Sequence, residues 1–99
     1  MKYAVRYASL ARDDIKRLYA CLLDRDENTA KRAISVIESA IKMLADFPFS
    51  CRKASVDNPF LRELVIPFGS AGYVALFEIE DSETVTILAI RPQREEDYH

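Results

Sequence analysis

The sequence predicts an α+β domain of element order βααβββ, a mostly antiparallel four-stranded sheet with a two-helix hairpin packed on one face. Three observations carry this expectation. The first eight residues, MKYAVRYA, alternate aromatic or branched side chains with small or charged ones, the period of two that marks a half-buried strand. Apolar residues then recur at helical spacing in two consecutive stretches, and the last third of the chain holds three β-rich segments separated by short turns.

After the first strand, Ser9 is placed to cap a helix whose apolar positions Ala11, Ile15, Leu18 and Leu22 form one stripe. Asp13, Asp14, Lys16 and Arg17 read as its solvated face. The polar segment DRDEN, residues 24–28, reads as an interhelical loop, with Asn28 capping the second helix. There Ala33, Ile34, Ile37, Ile41 and Leu44 keep helical period until Phe47 meets Pro48, which disfavours helix in the residue before it. So short a connection makes the two helices antiparallel, and their stripes need a further apolar surface to cover them. A loop from Pro48 to about Asn58 leads to that surface. FLRELVIPF reads as a strand broken at Pro67, GSAG (69–72) as a turn, YVALFEIE as the next strand, DSE as a turn and TVTILAI as the last strand. Residues Ile87–Ile90 are apolar without alternation, which predicts a central strand with both faces covered.

Ninety-nine residues of 11.3 kDa suffice for one domain, expected to span 1–99. An apolar fraction of 49% with 2 Gly and 4 Pro excludes whole-chain disorder and low complexity. No apolar run approaches the roughly 20 residues of a membrane span, and the alternating N-terminus is unlike a signal peptide, so a soluble cytoplasmic protein is expected. Fourteen Lys and Arg against 16 Asp and Glu give a charge of −2 and a pI near 5.4, so no global attraction to nucleic acid is expected. A single His, with Cys21 and Cys51 outside any CxxC spacing, excludes the common zinc ligand sets; both cysteines read as reduced thiols, and no metal or cofactor is expected.

The nucleotide-binding and hydrolase motifs GxSxG, P-loop, HExxH and GxGxxG are missing. What remains is a set of polar groups near strand ends: Arg52 and Lys53 in the long loop, Arg62 and Glu63 on the second strand, and Arg91, Arg94, Tyr98 and His99 after the last. Arginines bind phosphate bidentately, but the REEDYH tail carries three acids beside its Arg. Arg52 and Lys53 read as exposed loop cations. Ion pairs with Glu63, or with Glu95, Glu96 and Asp97, suit Arg62 and Arg91 as well as a ligand does.

The element order, the SLARDDI start of the first helix, the AIKMLADFP end of the second, the LREL strand and the closing ILAIRPQREEDY together resemble the RelE/ParE superfamily of toxins from type II toxin-antitoxin modules, over nearly the whole chain. The resemblance implies one of two actions: messenger RNA cleavage on the ribosome in the RelE manner, or poisoning of DNA gyrase in the ParE manner. It points to Arg62, Arg91, Pro92, Arg94 and Tyr98 as target-contacting positions, with Arg62, Arg94, Tyr98 and His99 as the catalytic set if the chain is a nuclease. Two departures bear on this choice. Many relatives have His where this chain has Pro92, which can neither transfer a proton nor donate a backbone hydrogen bond. RelE-type nucleases carry an Arg after the GY of the third strand, where Val74 stands here; losing such a donor costs about 10²- to 10³-fold in rate.

These departures and the acidic pI favour a ParE-like gyrase inhibitor acting by protein contact. The alternatives are a RelE-like ribosome-dependent ribonuclease and a toxin-fold protein inactivated at Pro92. All three imply a cognate antitoxin, folding over the helical hairpin and sheet edges, in a toxin-antitoxin hetero-oligomer or beside a homodimer. Phe49, Phe60 and Phe68 are its candidate contacts wherever they are exposed; the core is their other destination.

Overall fold

The structure, a computed structural model, describes residues 2–93. Strand β1 (Ala4–Tyr7) leads into helix α1 (Ser9–Leu23), and α2 (Glu27–Lys42) follows after Asp24–Asp26. Two single-turn 3₁₀ segments, Met43–Ala45 and Pro48–Ser50, precede strands β2 (Arg52–Lys53), β3 (Leu61–Phe68), β4 (Ala71–Ile79) and β5 (Thr84–Pro92). The α+β class and the helical hairpin over a sheet are as the sequence predicts. The sheet has five strands rather than four, in the order β1-β5-β4-β3-β2, with β1 parallel to β5 and every other pair antiparallel. The added strand is the two-residue β2, inside the segment read as loop, where Arg52 pairs with Glu63 and Lys53 with Arg62. Two residues are too few to show a period of two.

Both predicted helix caps fall elsewhere. Ala8 is the N-cap of α1 and has no side-chain oxygen to accept from the first helical amides; its own N–H is bonded to the Ile87 carbonyl at 2.9 Å as the chain leaves the sheet. Ser9 is therefore the first helical residue. For α2 the cap is Asp26, whose carboxylate accepts from the Asn28 N–H at 3.3 Å and the Thr29 hydroxyl at 2.6 Å. Asn28 lies one residue inside the helix instead, beneath an acid better placed to accept.

The hairpin covers one face of the sheet, α1 against β5 and α2 against β3. Ala11, Ala30 and Ala33 are fully buried, and such small side chains let helices approach closely. Ile37, Ile41 and Leu44 pack from the helical side on Ile66, Ala75, Phe77, Ile79, Val85, Ile87 and Ile90. Burial of each large member contributes roughly 1.5–3 kcal/mol. Ile15, Leu18 and Leu22 complete the stripe at partial burial.

Three readings of the sheet change in detail. β3 continues through Pro67, which pairs with Gly72. Proline is tolerated there because β2 covers only Arg62 and Glu63, so the end of β3 is an edge. The connection to β4 narrows to Gly69 and Ser70, with Gly69 at φ 61°, the positive value a type II′ hairpin needs at its first turn residue. The unbroken apolar run in β5 arises from a bulge. Phe77 pairs with Ile87 and Leu76 with Ala89, so Leu88 is the extra residue and alternation resumes beyond it. The helices therefore cover β5 on one face only, and β4 is the middle strand.

Candidate functional site

The sequence points to Arg62 on β3 and to the chain from Arg91 onward. Arg62 pairs with Phe77, a core residue, and so faces the helical side of the sheet. Its guanidinium is held by backbone: Nε donates to the Pro59 carbonyl at 2.6 Å, and Nη1 donates to Cys51 O at 2.9 Å and Phe49 O at 3.3 Å. It also lies over the Phe49 ring, 5.2 Å from the centroid. These contacts tie the 48–60 segment to the sheet. Glu63 pairs with Arg52 at 2.9 Å, not with Arg62, so Arg52 is an ion-paired strand residue.

Arg91 is exposed near the end of β5 and pairs with Val74, which in turn pairs with Val65. Val74 and Phe77 differ by an odd number of positions along β4, so Arg91 and Arg62 project from opposite faces of the sheet. The structure does not bring these two arginines together. Val74, the position where RelE-type nucleases carry Arg, is only 4% exposed beside Arg91 on the face without helices. Pro92 pairs with Tyr73, and Gln93 ends the described chain. Next to it, Gly72 admits no larger residue: a Cβ there would lie 2.4 Å from the Ile66 carbonyl oxygen and 3.2 Å from Gln93 Oε1. The glycine thus lets β3, β4 and the exit of β5 close on one another. Arg94, Tyr98 and His99 lie outside the described residues.

One residue that organises this end of β5 was assigned to the wrong side of α1. Asp14 is 0% exposed; its Oδ2 accepts from the Ile90 backbone N–H at 2.9 Å, and its Oδ1 accepts from Arg17 Nη2. Leaving that amide buried and unsatisfied would cost about 1–3 kcal/mol. Spacing carried the signal, since position 14 is three beyond Ala11 and four before Leu18, on the apolar stripe itself.

Burial pushes the thiol of Cys51 and the phenols of Tyr7 and Tyr73 up from their ordinary values, so all three are protonated at neutral pH. A protonated thiol is a poor nucleophile. Of the three phenylalanines, Phe68 packs half-buried against the core, whereas Phe49 and Phe60 are 48% and 49% exposed and meet edge to face at 6.2 Å. Met43 (59%) and Phe47 (64%) are more exposed than either of these rings. With Cys51, Leu64 and Val65 they line a groove of about 330 Å³ beside the open edge of β3. No group of three metal-ligating side chains occurs among the described residues, and no described helix is long and apolar enough to cross a membrane.

This architecture defines a class: a small α+β protein with a helical hairpin on one face of a five-stranded mixed sheet, an apolar groove beside the open edge of β3 and an exposed Arg91 near the end of an inner strand. The model of the family described as ParE toxin of type II toxin-antitoxin system, parDE, matches residues 5–97, and the chain belongs to that family. Toxin RelE1 of Caulobacter vibrioides is 32% identical over 79 residues, covering 80% of this chain and 82% of that protein. Toxin RelE3 of the same organism is 34% identical over 88 residues, covering 89% and 91%. A chain of the chromosomal ParDE TA system from P. aeruginosa matches the fold with a TM-score of 0.75 at 17% identity, over 92% of this chain and 96% of that one. The protein is thus a type II toxin of the ParE/RelE superfamily.

Proposed function

We propose that the toxin acts in the ParE manner, inhibiting DNA gyrase by protein contact through the end of β5 and the following tail, with Arg91, Pro92, Arg94 and Tyr98 as contact residues. The observation that carries this reading is the commitment of Arg62 to the backbone. Arg62 is engaged by three backbone carbonyls on the helical face, while Arg91 projects from the other face beside an apolar Val74. A ribonuclease needs preorganised donors free to converge on one phosphate; Arg62, the member of the nuclease set within the described residues, has its Nε and Nη1 committed to carbonyls, and Val74 offers no donor. The net charge of −2 further disfavours approach to a site walled by RNA. Purified toxin added to gyrase and relaxed plasmid should block supercoiling and accumulate cleaved complexes, with Arg91→Ala weakening both. Undisturbed supercoiling at saturating toxin overturns the proposal.

Similarity to Toxin RelE1 and Toxin RelE3 favours a second reading, ribosome-dependent messenger cleavage by a set drawn from Arg94, Tyr98 and His99 with Arg62. It requires cut messenger in a translating extract, abolished by Arg94→Ala with Tyr98→Phe. We also assign this toxin a cognate antitoxin, as the ParDE neighbour has in its name, and place an antitoxin segment on the groove of Met43, Phe47, Leu64 and Val65. Support comes from the two most exposed large side chains of that wall and from the open β3 edge, which suits strand addition.

A further inference from the structure

We infer that Asp14 is a positioning residue that latches α1 to β5 just beyond its bulge and so fixes the placement of Arg91 and Pro92 at the end of β5; the inference rests on the reading of those two residues as target contacts. β1 pairs with β5 only as far as Tyr7 opposite Ile87, and the Ala8 N–H closes the ladder on the Ile87 carbonyl. Beyond that point no strand among the described residues flanks β5 on the β1 side, and α1 packs against β5. The bulge at Leu88 re-aims the strand, as bulges do. Ile90 then directs its N–H away from the ladder, where a continuing strand would have supplied a carbonyl. Asp14, 76 positions earlier, supplies a carboxylate oxygen in its place.

The latch lies one residue before Arg91 and two before Pro92, which has no N–H of its own to anchor the exit. On the opposite side the exit is closed against β4 by Tyr73 opposite Pro92 and by the tight approach at Gly72. Ile90 is therefore held by Asp14 of α1 on one side, while Ile90, Arg91 and Pro92 pair with β4 on the other. Arg17, the other partner of Asp14, has a side chain 64% exposed, so the ion pair reaches the surface while the bond to Ile90 stays buried.

The test compares Asp14→Ala, which removes the acceptor, with Asp14→Asn, which keeps an amide oxygen in the same place. Three readouts are followed: circular dichroism for folding, exchange of the Ile90 amide by NMR, and growth arrest on induced expression. A folded Asp14→Ala should exchange the Ile90 amide roughly 10- to 100-fold faster, the loss of one protecting hydrogen bond, and should lose growth arrest, while Asp14→Asn retains both properties. Undiminished arrest in a folded Asp14→Ala with fast exchange overturns the proposal, as does slow exchange in that variant. Lost arrest in Asp14→Asn with slow exchange also overturns it, because charge rather than position would then matter. If Asp14→Ala does not fold, Asp14→Ser is read by the same criteria. Failure of both shows Asp14 to be a fold determinant only, and overturns the positioning role. A parent chain that leaves growth untouched sinks the toxin-contact reading, whereas exchange at Ile90 still decides the latch.

Discussion

Asp26 and Gly72 show how single positions set the local geometry. The Thr29 hydroxyl and the Asn28 amide hold the Asp26 carboxyl below the usual carboxylate range by bonding to its charged form. A depressed folded pKa gives stability that is present above the unfolded value of about 3.9 and lost as pH falls through the folded value. Asp26→Ala should therefore melt below the parent at neutral pH, and the gap should shrink at about pH 2. An unchanged gap in thermal melts at the two pH values contradicts this. Gly72→Ala forces a methyl against the Ile66 carbonyl at 2.4 Å, a backbone atom that cannot turn aside. Urea unfolding should show a loss on the order of 2 kcal/mol, and a loss under about 0.5 kcal/mol, the range of ordinary surface changes, contradicts it.

Elements were legible in the sequence to the extent that their periods were long. The stripe of α2 repeats often enough to reveal the helix, and β4 follows from a β-rich run bounded by the turn at Gly69 and the DSE turn. β2 was not legible, because pairing with β3 makes it a strand and nothing within Arg52–Lys53 does. Asp14 was hidden for a related reason. Residue type argued for solvent, and the opposing fact, an amide stranded by a bulge in β5, lies at the other end of the chain. Pro67 read as a break because it takes the edge of the finished sheet to show that no donor is needed there. Of the candidate site, the arginine positions were legible as types, but the faces from which Arg62 and Arg91 project needed the register. Arg62 also illustrates how one side chain anchors a whole segment. Arg62→Lys replaces a planar fork with one ammonium, which cannot reproduce three carbonyl contacts, and should lower stability by about 1–2 kcal/mol in urea titration; parent-like unfolding contradicts the anchoring role. Phe47→Glu alters an exposed position, so folding should be unchanged within about 0.5 kcal/mol. Antitoxin binding should weaken at least tenfold by calorimetry if that groove is the docking site, and unchanged affinity excludes it.

For the molecule as a whole, the helical hairpin spends its apolar stripe on one face of the sheet, and among the described residues no helix covers the other face. Membership in the ParE toxin family and the shared fold of the ParDE neighbour agree with that division. On the proposed gyrase reading no polyanion-binding surface is needed, so toxin binding to gyrase should fall less steeply with salt than phosphate-dominated binding does. The most direct measurement places one preparation of the toxin in two reactions, gyrase with plasmid and a translating extract with a defined messenger. The account predicts cleaved plasmid complexes and intact messenger; intact supercoiling with messenger cut in the extract would contradict it.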